Sequence, residues 1–119
     1  MHKQCTIYRT ANFIGKRWTL LILLELYKGK AEWKRYYELK SRLGGITPKI
    51  LSSRLKELEK EGLIAKKISA KSFPVKCEYS LTKTGKDFIG IIKNLKKWAL
   101  KWKLGSEMCR NAKCKDCEL

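Results

Sequence analysis

A mainly α-helical fold with one small β-hairpin is predicted for this 119-residue chain from three observations. Apolar residues recur at helical spacing in five stretches. They alternate at period two just before Thr82. Glycine and proline punctuate the joins between these stretches. The length has room for one domain and one modest core, which a second copy would enlarge.

The elements follow in order. Tyr8 to Ile14 reads as a short amphipathic helix, interrupted by Gly15-Lys16-Arg17. Trp18 to Tyr27 is apolar nearly all round, the mark of a buried central helix, and Lys28-Gly29-Lys30 ends it. Lys34 to Leu43 carries Tyr36, Leu39 and Leu43 at helical spacing and stops at Gly44-Gly45. Thr47-Pro48 then pairs a hydroxyl N-cap with Pro at the first helical position. From Pro48 to Glu61 the apolar stripe is Ile50, Leu51, Leu55 and Leu58, and Gly62 closes the helix. Leu63 to Ile68 reads as a strand. Val75, Cys77, Tyr79 and Leu81 alternate with polar residues in a half-buried second strand, and Ser69 to Pro74 forms a basic hairpin tip. Thr82 caps a last helix running from Lys83 to about Lys103.

Two helices joined by a short glycine turn, then a basic hairpin, is the order of a winged helix-turn-helix. In the last helix Ile91, Leu95, Trp98 and Trp102 step by four, three and four, a coiled-coil-like seam. It is longer than a small winged domain needs for its own core. It therefore reads as a dimer interface, with folding back onto its own domain as the alternative. The expected organisation is a winged helix-turn-helix and dimerisation domain over 1–104 and a Cys-rich tail over 105–119.

Charge narrows the partner. Twenty-eight Lys and Arg against eleven Asp and Glu give a net +17. Such a surface attracts polyanions, with nucleic acid ahead of anionic membrane or acidic protein; a general preference for surface lysine is the plain alternative. The start, Met1-His2-Lys3-Gln4-Cys5, carries no signal-peptide pattern. The longest apolar run is too short for a bilayer and contains Glu25. A cytoplasmic protein without a membrane partner is expected, and in a reducing compartment its five Cys would not form a structural disulfide framework. The lone His2, the lack of a Gly-rich phosphate loop and the lack of a nucleophile–base pair argue against an enzyme.

Four stretches resemble the HxlR-type winged helix-turn-helix regulators of the MarR-like group. They are Cys5 with Ile14-Gly15-Lys16-Arg17-Trp18-Thr19-Leu20-Leu21-Ile22-Leu23; Gly45-Ile46-Thr47-Pro48-Lys49; Leu51-Ser52-Ser53-Arg54-Leu55-Lys56-Glu57-Leu58 with Gly62-Leu63; and Glu78-Tyr79-Ser80-Leu81-Thr82 with Gly85. The resemblance spans roughly Cys5 to Trp98. It implies a homodimer built from the first and last helices, with recognition helices in successive major grooves of a palindromic operator. It also implies that several relatives respond to oxidants or electrophiles through a Cys ahead of the first helix, about where Cys5 stands. Two features depart from the family: the connection from Gly29 to Tyr36 is about three residues long in excess, and the tail after Gly105 is additional.

Duplex DNA presents its charge densely, so Lys and Arg contacts supply affinity by counterion release. Thr47 is placed on phosphate through its hydroxyl and the helix N-terminus. Lys49, Ser52, Ser53 and Lys56 are placed in the major groove, and Arg54 is the candidate for bidentate guanine readout. Arg54 has alternatives in Glu57, Glu61 or the DNA backbone. Lys67, Lys71 and Lys76 are the wing candidates.

Cys109, Cys114 and Cys117 form a C-x4-C-x2-C run. The C-x2-C piece is a common zinc-chelating pair, and the full spacing matches three ligands of a plant-type iron–sulfur cluster. Cys5 is the candidate fourth ligand, from the same chain or a partner, ahead of His2 or water. A metal-free disulfide switch and a tail without a role are the other readings. Cys77 reads as structural. The runner-up function is a basic RNA- or ribosome-associated winged domain with a zinc-stabilised tail, which would prefer structured RNA over a palindromic duplex.

Overall fold

The computed structural model describes residues 2–69, 71, 73 and 75–117; the expected hairpin-tip residues Ala70, Ser72 and Pro74 lie outside them. The chain runs α1 (Thr6–Ile14), α2 (Thr19–Tyr27), β1 (Lys34–Arg35), α3 (Tyr36–Arg42), α4 (Pro48–Lys60), β2 (Ile64–Ser69), β3 (Lys76–Leu81) and α5 (Lys83–Trp102). A five-residue α6 (Glu107–Asn111) and a 3-10 turn (Cys114–Asp116) complete it. The fold is a winged helix-turn-helix with a long helix α5 after the hairpin.

The core lies where α2, α4 and α5 meet the sheet. Ile22 and Leu23 from α2, Leu51, Leu55 and Leu58 from α4, and Ile89 and Ile92 from α5 are all buried. Leu39 of α3 and Leu63, Ile64, Tyr79 and Leu81 of the sheet region close it. Burial of α2 is one-sided, however. Leu21 is exposed and Leu20 and Leu24 are half-buried, so the uniformly apolar helix has one face that its own chain leaves uncovered.

Local chemistry fixes the joins. Thr47 Oγ1 accepts from Ile50 N–H at 3.2 Å and Pro48 opens α4, the cap expected from the sequence. Gly45 takes φ 95° between α3 and α4, a conformation that costs a side-chain-bearing residue. Thr82 Oγ1 accepts from Gly85 N–H and donates to Gly62 O at 2.6 Å, tying the start of α5 to the end of α4. Gly85 itself sits against backbone: a Cβ there would stand 2.1 Å from Leu63 O.

The sheet holds three antiparallel strands in the order β1-β3-β2. Lys34 pairs with Tyr79 and Arg35 with Glu78, so the residues expected to begin a helix form the edge strand instead. This strand ends the lengthened connection after Gly29. The expected alternation in the second strand also yields at both ends. Val75 is exposed and precedes β3, and Ser80 is buried, lining a cavity with Leu26, Ala31 and Glu32.

Candidate nucleic-acid interface and the cysteine tail

Burial of Leu51, Leu55 and Leu58 turns the opposite side of α4 outward. Lys49, Ser53 and Lys56 are exposed there, with Thr47 exposed at the N-terminus. Pro48 has no N–H and Ile50 N–H is bonded to Thr47 Oγ1, so the first turn presents the Lys49 N–H and the positive end of the helix dipole, a natural seat for phosphate. Tyr36 holds this end in place: its hydroxyl donates to Pro48 O at 3.3 Å and stands 3.5 Å from Ser52 Oγ. Ser52 is accordingly half-buried at the α3–α4 junction.

Arg54 occupies a different setting from its neighbours. It is half-buried, and its Nε is shielded from solvent with no hydrogen-bond partner among the described residues. Position 54 is three residues after Leu51 and four before Leu58, which places it on the flank of the packed face. Glu57, one of its expected alternative partners, receives Lys16 Nζ at 2.5 Å and so fastens the α1–α2 join to α4.

On the wing, Lys71 and Lys76 are exposed. Lys67 is engaged with the protein: its ammonium lies 4.0 Å from Glu78 and 4.5 Å above the Trp33 ring. Phe73 beside the tip is fully exposed.

The seam of α5 is open. Ile91, Leu95, Trp98 and Trp102 are 56%, 47%, 54% and 65% exposed, so the helix does not fold this face onto its own domain. Helix α1 also buries no residue in the single chain. Large apolar side chains left on two helices form the kind of surface that a partner covers.

The cysteines are distributed rather than gathered. Cys5 is the N-cap residue of α1. Cys77 packs against the core and donates its S–H to Tyr79 Oη at 3.4 Å, in keeping with a structural role. Burial and this contact push the Tyr79 phenol well above its ordinary value. Cys109 lies on α6, while Cys114 and Cys117 bracket the 3-10 turn, all three half-buried. Cys114 faces a groove beside α5, and Cys117 a cleft lined by Glu25, Lys34 and Arg42. Among the described residues no three His, Cys, Asp or Glu side chains are grouped to hold a metal ion.

Sequence reasoning missed the network that fills this cleft. Glu25, buried in α2, pairs with Lys28 at 3.1 Å and Arg42 at 3.4 Å. Lys34 Nζ donates to the carbonyls of Glu25, Leu26 and Lys28, satisfying the open C-terminal end of α2. Burial holds the Lys34 ammonium below its ordinary pKa, against the opposing pull of Glu25. The one sequence signal was an acid, Glu25, inside the most apolar run.

A basic helix presented outward beside a β-hairpin defines the class: this is a winged helix-turn-helix of the DNA-binding type. Residues 13–107 match the HxlR-like helix-turn-helix family, and the chain belongs to it. It is 36% identical over 94 residues to the uncharacterized HTH-type transcriptional regulator YvaP of Bacillus subtilis strain 168, covering 79% of this chain and 83% of that one. A structure from Porphyromonas gingivalis W83, assigned to the MarR family of transcriptional regulators, superposes with a TM-score of 0.75 at 33% identity, covering 87% of this chain and 97% of that one. The redox regulator HypR in its oxidised form gives 0.71 at 28% identity, covering 84% and 99% respectively. The protein is thus a transcriptional regulator of the HxlR/MarR type and not an enzyme. No helix among the described residues is long and apolar enough to cross a membrane.

Proposed function

We propose that this regulator binds a palindromic duplex operator as a homodimer and answers to redox state or metal through its cysteines. The observation that carries the reading is the open seam of Ile91, Leu95, Trp98 and Trp102 on the same molecule as the outward basic face of α4. A symmetric pairing through α5 and α1 buries the seam and sets two α4 helices at a fixed spacing. Each α4 then lays Lys49, Ser53 and Lys56 in a major groove, with Thr47 and the helix N-terminus on phosphate and Lys71 and Lys76 on the flanking backbone. Ser52 beside Tyr36, and Lys67 on Glu78 and Trp33, act mainly by positioning these elements, and Arg54 reads guanine or contacts the DNA backbone.

The response element is Cys5 with the three tail thiols. The likeness to a protein described as a redox regulator supports a thiol response. In a dimer, pairing of α1 with α5 brings Cys5 toward the end of α5, from which the tail departs. Zinc or an iron–sulfur cluster held by Cys5, Cys109, Cys114 and Cys117 remains the metal version of this proposal.

Sedimentation and duplex-binding anisotropy test the proposal together. Trp98→Glu is expected to give a monomer and to lower operator affinity by about 100-fold, since the two half-sites no longer bind as one unit. Lys56→Ala is expected to leave the dimer intact and to reduce the slope of log affinity against log salt by about 1 per contact. A monomeric parent protein, or equal affinity for structured RNA, would overturn the reading. Metal and sulfide assay after anaerobic purification, and operator affinity of the Cys5→Ser and tail triple-Ser variants before and after oxidant, decide which thiols respond.

A further inference from the structure

The tail does not trail into solvent. It folds back on α2 and α5 and encloses a groove of about 450 Å³. Lys93, Lys96 and Lys97 of α5 line one side, and Arg110, Lys113 and Lys115 of the tail line the other. Among the described residues no Asp or Glu belongs to the lining.

Among the described residues, the groups that Lys93, Lys96, Arg110 and Lys115 touch are neutral. Lys96 Nζ donates to Ala112 O at 2.8 Å, Lys115 Nζ to Tyr27 O at 2.9 Å, and an Arg110 guanidinium nitrogen to Leu100 O at 3.3 Å. Lys93 and Lys115 lie 5.0 and 4.8 Å from the Tyr27 ring centroid. Carbonyls and an aromatic ring orient ammonium groups but do not cancel their charge. The adjoining cleft offers the contrast, because its Lys28 and Arg42 are both paired with buried Glu25.

We propose that this groove is a binding site for a small organic polyanion, a molecule carrying two or more negative charges as phosphate or carboxylate groups. Its volume lies in the range of small-molecule sites. Six cations with no acid among the described lining residues select multiple negative charge, and Leu100 with Tyr27 gives an apolar wall that an inorganic ion leaves unused. A DNA duplex, convex and broad, does not enter a groove closed by the tail. Four of the nine lining residues, Arg110, Lys113, Cys114 and Lys115, lie beyond the residues that match the family, so the groove is completed by this chain's own extension. Bound anion relieves the repulsion between tail and α5 and locks the tail down. The lock reaches the end of α2 through Gly29 N–H, which donates to Lys115 O at 2.8 Å.

The test uses the full chain at about 0.15 M salt, with ATP and citrate as probes and sodium sulfate as the simple-anion control. Calorimetry is expected to show one saturable site per chain for ATP, citrate or both, with sulfate far weaker. ATP alone would identify the phosphate source, and citrate alone the carboxylate source. The Lys93→Gln/Lys97→Gln variant is expected to weaken binding by about tenfold or more. Among the described residues neither side chain hydrogen-bonds the tail, so the fold is retained. Saturating probe is also expected to slow iodoacetamide alkylation of Cys114, read by peptide mass spectrometry. No saturable binding of either organic probe, or equal binding by the double variant, would overturn the proposal. So would protection of Cys114 by duplex DNA alone. Loss of operator binding with probe binding intact would break the DNA reading and leave this site standing.

Discussion

The helix-turn-helix core and the C-terminal tail are held by opposite physics. Leu51, Leu55 and Leu58 of α4 close on Ile22, Leu23 and Leu39 with almost no exposed surface, a contact that salt barely touches. The tail from Ser106 to Cys117 buries no residue fully and docks through lysine and arginine donors on backbone carbonyls. The first arrangement is permanent on the time scale of regulation. The second rests on exposed charged donors, so ligand and ionic strength are the means of shifting it under the proposed response.

The contrast can be broken at several points. Leu51→Ala leaves a cavity in the centre of the core and is expected to cost about 2–5 kcal/mol, seen as a large fall in Tm. Gly85→Ala drives a methyl into Leu63 O and is expected to cost about 1–3 kcal/mol by overpacking, in the same assay. The alkaline limb sharpens the core side. Because the Tyr79 phenol is pushed up by burial, its contribution to stability is complete below the ordinary tyrosine value near 10 and is lost progressively as pH rises above it toward the raised value. Tyr79→Phe removes that loss, so its stability is expected to fall less steeply than the parent's between about pH 9 and pH 11. Lys34, lowered by burial, acts with the opposite sign in both proteins and cancels in the comparison. Smallest is Lys115→Gln, expected to change stability by less than about 0.5 kcal/mol while raising the alkylation rates of Cys114 and Cys117. A Tm loss like that of Leu51→Ala would place the tail in the core instead.

Much of the reader was legible in the sequence. Thr47-Pro48 and the Leu51, Leu55, Leu58 stripe locate α4, and the seam on α5 is visible as four large residues in register. The spacing of Arg54 from Leu51 and Leu58 already sets it on the flank of the packed face. The edge strand Lys34–Arg35 carries no apolar alternation and exists only because β3 offers it a partner. The groove was invisible for a stronger reason. Lys115 meets Tyr27 across 88 positions of sequence, and nothing local to either residue announces the contact.

Hydroxyl-radical footprinting on a duplex selected for binding tests the central claim most directly. The account predicts two protected segments related by a two-fold axis, with centres about one helical turn apart, and their joint loss in Trp98→Glu. A single unsymmetrical footprint that survives Trp98→Glu would contradict it.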